Sequence, residues 1–150
     1  MHFPSLNHEK TIRNAKQVLR NYSSFHKMEL SLKITLKSPI ISAMPKSATV
    51  GNAQEEKIID KLEERHYAMY YCELIRDVVS IIQDPTYQKI ITDTYLCEGI
   101  SDLAIMLDLN MGKSQYYANK RQALIVFAEC MPAFKDARGN MIDIAVYKKN

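Results

Sequence analysis

Glycine is scarce in this chain of 150 residues, and the four present, Gly51, Gly99, Gly112 and Gly139, stand apart from one another. No loop can therefore wrap a phosphate with successive backbone N–H groups, which removes the common nucleotide-binding motifs. Histidine is sparse as well. His2, His8, His26 and His66 show no ligand spacing with cysteine or with each other, so neither a metal site nor a cofactor is expected. Cys72, Cys97 and Cys130 are odd in number, widely spaced and set in apolar runs, which favours three buried reduced thiols over a disulfide or a zinc site. No serine or cysteine sits in a nucleophile turn, and Glu63-Glu64 reads as a solvated helix face. Nothing argues for an enzyme. Long apolar runs are missing too, and the first residues, MHFPSLNHEK, lack a signal-peptide core. The expected place is the cytoplasm, with no membrane contact.

What is present is the composition of a soluble globular protein, 47% hydrophobic and 25% charged, long enough for one domain with a real core. The net charge of +3 is small but segregated: residues 1–40 carry +5, residues 41–110 carry −6 and residues 111–150 carry +4. A uniform +3 could not steer a polyanion, whereas a basic segment at each end can.

The second basic segment coincides with the most informative stretch, SDLAIMLDLNMGKSQYYANKRQALIVFA (101–128), which reads as a helix-turn-helix. Ser101 can cap a short helix whose inward positions would be Leu103, Ala104 and Leu107. Asp108, Leu109 and Asn110 then bring turn chemistry. A second helix follows with Lys113, Tyr116, Asn119 and Lys120 on one face and Tyr117, Leu124 and Ala128 on the other. A small residue where two short helices cross, here Ala104, suits a major-groove reader; the plainer reading is an αα-hairpin inside a bundle. Asp108 falls where such a turn most often wants glycine with φ > 0, and Ser114 falls where an apolar residue is usual. Adjacent helical residues point about 100° apart, so Tyr117 is assigned to the core and Tyr116 to the DNA face.

Upstream, Ile12, Ala15, Leu19 and Tyr22 mark an amphipathic helix from Glu9 to about Lys27, with Lys10, Arg13, Lys16 and Arg20 on its other face. Leu30, Leu32, Ile34 and Leu36 then alternate with polar residues, the period of a strand. The other alternating stretch is Ile142, Ile144 and Val146, so the two are expected to pair as a small sheet. Residues 38–53 form a connection, and Asn52 can cap a helix running to about Gln83. That helix carries Ile58, Leu62, Met69, Cys72, Ile75, Val79 and Ile82 on one stripe, widened by Tyr70, Leu74, Val78 and Ile81. Asp84-Pro85 restarts a helix, Gly99 stops it and Ser101 opens the next. The expected architecture is mainly α: a helical bundle with a C-terminal helix-turn-helix and a small two-stranded β element. The segments are 1–37 (basic helix and strand), 38–53 (linker), 54–131 (helical domain, with the helix-turn-helix at 101–130) and 132–150 (tail, with a strand at 141–147).

Three strings carry a resemblance: KTIRNAKQVLRNY (10–22), SPIISAMPKSATVGNAQEEKI (38–58) and YYANKRQALIVFAE (116–129). On them the chain resembles the ArpU family of phage transcriptional regulators, over about residues 8 to 130. The resemblance implies a DNA-binding regulator of phage or prophage late genes (packaging, morphogenesis and lysis). Its C-terminal helices would be similar to region 4 of bacterial sigma factors, which reads a promoter element while touching RNA polymerase.

The resulting expectation is sequence-specific binding to duplex DNA. Lys113, Lys120 and Arg121 would meet phosphates, and Gln115, Tyr116 and Asn119 would meet base edges, with Asn110 at the turn. Arg13, Lys16 and Arg20 would add a second basic surface. A homodimer would double a small interface. The rivals are a phage small terminase subunit recognising packaging DNA and a helical adaptor that binds no DNA.

Overall fold

A computed structural model describes residues 4–37 and 52–149. The connection expected at 38–53 lies outside the described residues up to 51, as does the capping role expected of the Asn52 side chain. The described chain is mainly helical and forms two compact units: residues up to 23 together with those from 75 onward, and residues 24–74.

Helix α1 spans His8–Arg20, opened by Asn7, whose Oδ1 accepts the N–H of Lys10 at 3.2 Å. Ile12, Ala15, Val18 and Leu19 are buried on one face, as the three- and four-residue spacing requires. At Asn21 the helix breaks, and α2 (Tyr22–Leu36) follows at once. So the residues expected to form a strand at 30–37 are helical to Leu36, and they do not pair with the C-terminal stretch. The alternation was a coincidence of leucine placement. In α2, Leu32 is 2% exposed while Ile34 is 73% exposed, and the inward positions Tyr22, Phe25, Glu29 and Leu32 recur at three and four. Met28, Glu29, Leu30 and Lys33 are good helix formers, and no proline or glycine intervenes before Pro39.

Helix α3 spans Asn52–Ser80. Within the 24–74 unit, the Phe25 ring lies 5.6 Å edge-on to Tyr67 and 4.5 Å from Tyr71. Of the expected stripe, Cys72, Ile75, Val79 and Ile82 are buried, but Tyr70 and Ile81 are exposed. No described helix is long and apolar enough to cross a membrane.

In the other unit, Asp84 caps α4 (Pro85–Ile91) by accepting the N–H groups of Thr86 and Tyr87, at 2.8 and 3.4 Å. The helix then loosens into a π-turn, Thr92–Leu96, before Gly99 reverses the chain at φ +78. Cys97 is exposed just before that reversal, contrary to the expectation of three buried thiols; Cys72 is buried and Cys130 half-buried. Helices α5 (Asp102–Leu109) and α6 (Lys113–Cys130) follow. Both α1 and α4 pack on α6, around a core that includes Leu19, Ile75, Ile90, Ile105, Tyr116, Leu124 and Phe127.

The tail forms a short hairpin, β1 (Phe134–Lys135) antiparallel to β2 (Met141–Ile142). Asp136 organises its turn by accepting two backbone N–H groups, from Arg138 and Asn140. Ile144 is buried, and the chain then returns to the start of α1. Asn7 N–H donates to the Val146 carbonyl and Lys148 N–H to that of Ser5, at 2.6 and 2.7 Å. The Thr11 hydroxyl both donates to the Val146 carbonyl (3.3 Å) and accepts its N–H (3.0 Å).

Candidate nucleic-acid interface

Helix α5 begins as its sequence dictates, with Ser101 Oγ accepting the Ala104 N–H at 3.1 Å. Its orientation differs from expectation. Leu103 and Leu107 are 62% and 73% exposed, Ala104 is exposed as well, and the buried position is Ile105. Ala104 therefore does not mark a helix crossing. The carboxylate of Asp102 turns toward α6 instead, which fixes the roll of the short helix.

The turn also sits two residues later than expected. Asp108 is still helical, and Asn110 takes the left-handed conformation at φ 54, ψ 46. Its N–H donates to the Leu107 carbonyl at 3.2 Å, and the Met111 N–H donates to that of Met106 at 3.0 Å. That pair of bonds is a Schellman cap, and asparagine is the residue that most readily replaces glycine there. Three residues, Asn110 to Gly112, thus connect α5 to α6.

Helix α6 starts at Lys113 without a side-chain cap, since Gly112 has none to offer. Lys113, Ser114 and Gln115 are exposed around this open N-terminus, with Tyr117, Ala118, Arg121 and Gln122 continuing the outward face. Ser114 is exposed, and Tyr116 is the residue of this turn that enters the core. The two tyrosines are the reverse of the assignment from spacing: Tyr116 is fully buried and Tyr117 is 44% exposed. Tyr116 Oη donates to Asp102 Oδ1 at 2.7 Å, and Lys120 Nζ donates to the same oxygen at 3.1 Å. Tyr117 Oη reaches Asp102 Oδ2 at 3.5 Å. Burial pushes the Asp102 carboxyl up, but the hydrogen bonds from Tyr116 and Lys120 and the ammonium charge outweigh it and hold it below the usual range. Burial and the same carboxylate drive the Tyr116 hydroxyl well above its ordinary value, so it stays protonated.

Lys120 is accordingly engaged within the fold. Its side chain is 16% exposed, bound to Asp102 and about 6 Å from both tyrosine ring centroids. Tyr116 lies in the core and not on the surface where it was expected. Asn119 is half-buried and donates to the Gln115 carbonyl at 2.7 Å. Arg121 faces out but pairs with Glu9 of α1 at 2.6 Å, and that contact holds the Glu9 carboxyl below its ordinary value. Of the expected second basic surface, Arg13 and Arg20 are exposed, while Lys16 is half-buried. Lys16 lines a groove of about 250 Å³ with Ile12, Tyr117, Lys120, Arg121 and Leu124, which joins the basic face of α1 to α6. Ala118 and Gln122 were not singled out from sequence, and Tyr117 was assigned to the core. The signal was available only through Asp102, fourteen residues before Tyr116, whose choice of partner rolls the helix.

The chain is 30% identical over 127 residues to ArpU of Enterococcus hirae, a protein named for autolysin regulation; the match spans 83% of this chain and 86% of that protein. No family model matches the chain, and no solved structure does.

Proposed function

The chain belongs to the ArpU family of regulatory proteins, and on that premise we propose that it binds duplex DNA with α6 as a transcriptional regulator of phage or prophage late genes. The observation that carries this reading is the α5–turn–α6 unit with an uncapped, outward α6 N-terminus ringed by Lys113, Ser114 and Gln115. Free N–H groups at a helix start attract phosphate, and a polar first turn suits entry into the major groove. Lys113 and Arg121 meet phosphates in this reading. Gln115 and Tyr117 face the bases, with the amide of Gln115 suited to bidentate pairing with adenine. Arg13 and Arg20 extend the footprint, and a homodimer on a two-fold operator supplies the second half-site. The action is binding rather than catalysis, in the cytoplasm of a host bacterium. The relative's name, which refers to autolysin regulation, fits lysis among the late functions. The outward Leu103 and Leu107 of α5 suit a protein partner, for which the sigma-like resemblance suggests RNA polymerase.

The test is binding to fragments of the cognate phage or prophage genome at two salt concentrations. One protected site upstream of the late genes is expected, and Gln115→Ala should weaken it by about 1–3 kcal/mol while leaving non-specific binding alone. Weak binding everywhere, abolished by modest salt, refutes the reading.

A further inference from the structure

In the 24–74 unit, two helices bring a nitrogen, an oxygen and a sulfur ligand together. His26 and Glu29 lie one turn apart on α2, and Cys72 lies on α3; one ligand atom from each falls within 4.8 Å of the other two. Glu29 is 4% exposed and Cys72 is fully buried. The His26 Nδ1 to Glu29 Oε1 distance is 3.2 Å. Two ligands on a tetrahedral zinc ion, each about 2.0–2.1 Å from the metal, stand roughly 3.3 Å apart. His26 and Glu29, hydrogen-bonded at 3.2 Å, thus already stand as far apart as two ligands of one ion, and the Cys72 sulfur lies within 4.8 Å of both.

We propose that His26, Glu29 and Cys72 form a binding site for one divalent transition-metal ion of the zinc class. Thiolate and imidazole select such an ion over magnesium or calcium, which take oxygen ligands. Charge points the same way: a dication with one thiolate, one carboxylate and a neutral imidazole sums to zero, so the ion lets the buried carboxylate remain ionised at little cost. Binding converts the Cys72 thiol to a thiolate and releases one proton to solvent. The His26 side chain is 38% exposed, which leaves water access for a fourth ligand. The ligands stand 43 and 46 positions apart on two helices, so no local cysteine–histidine spacing announces them. None of its three residues belongs to α6.

The experiment titrates cobalt(II) into the chelator-treated full chain carrying Cys97→Ser and Cys130→Ser. Expected are one ion per chain, thiolate-to-cobalt charge transfer, intense tetrahedral d–d bands and one proton released per ion. His26→Ala and Glu29→Gln should each weaken binding about tenfold or more, and Cys72→Ser should abolish the charge-transfer band. X-ray absorption of the zinc-loaded parent needs no further variant; one sulfur at about 2.3 Å with lighter ligands near 2.0 Å is expected. Absence of stoichiometric uptake, a charge-transfer band that survives Cys72→Ser, or a shell of nitrogen and oxygen alone overturns the proposal.

Discussion

Replacing Tyr116 by phenylalanine isolates one bond in the joint between α5 and α6. The ring still fills its buried site, and only the hydroxyl that donates to Asp102 at 2.7 Å is lost. Hydrogen bonds to charged groups contribute about 1.5–3 kcal/mol. The lower end applies, because Asp102 retains Lys120 at 3.1 Å and its side chain is 38% exposed, so water can take the vacated position. A loss of about 1.5 kcal/mol corresponds to roughly 3–6 °C in Tm for a chain of this size. The loss should also depend on pH. The Asp102 carboxyl is held below its unfolded value, so its stabilising contribution is present above the unfolded pKa of about 3.9 and fades as pH falls through the lower folded value. Urea unfolding of parent and Tyr116→Phe at pH 7 and near pH 3 reads both effects. The gap should narrow in acid, while DNA affinity at pH 7 stays within about twofold. A gap under about 0.5 kcal/mol at pH 7, or one unchanged near pH 3, refutes the reasoning; loss of DNA recognition in a folded variant would return Tyr116 to the base-reading set.

Five further substitutions, at four positions, separate fold from binding. Lys113→Ala should lower the salt slope of DNA binding by about one, whereas Lys120→Ala should leave the slope unchanged and lower the urea midpoint; equal slope losses would place both amines on phosphates. Glu9→Gln removes the carboxylate that holds Arg121 at 2.6 Å, so it should raise non-specific DNA affinity and steepen the slope; unchanged binding would exclude Arg121 from the interface. Asn110→Gly should be neutral or stabilising in thermal melts, since Asn110 occupies φ 54, while Asn110→Val should cost about 1–2 kcal/mol. A neutral valine variant would mean the turn is not held in the left-handed conformation.

Local rules were legible where a few neighbouring residues settle the conformation. Ser101 and Asp84-Pro85 announced their caps, and the buried face of α1 followed from spacing alone. What was not legible depended on partners distant in sequence. Leu30 to Leu36 satisfy a strand pattern, yet helical propensity and the burial of Leu32 decide against it. Two of the misplacements in α5 and α6 meet at one residue: Asp102 takes Tyr116 and Lys120 as partners. That choice rolls Leu103 and Leu107 outward and exchanges the roles of Tyr116 and Tyr117.

The stitch between Thr11 and Val146 has a consequence for the order in which the protein is made. The unit carrying α1 and α6 is discontinuous in sequence, whereas residues 24–74 are contiguous. During synthesis the contiguous segment can collapse as soon as it leaves the ribosome. Helix α1 must wait for α6, whose first residue, Lys113, comes 93 positions after Arg20, and longer still for Val146. Contacts of such separation close slowly, and until they close, the apolar face of Ile12, Ala15 and Leu19 stays uncovered. The unit that carries α1 and α6 is thus the later of the two to mature.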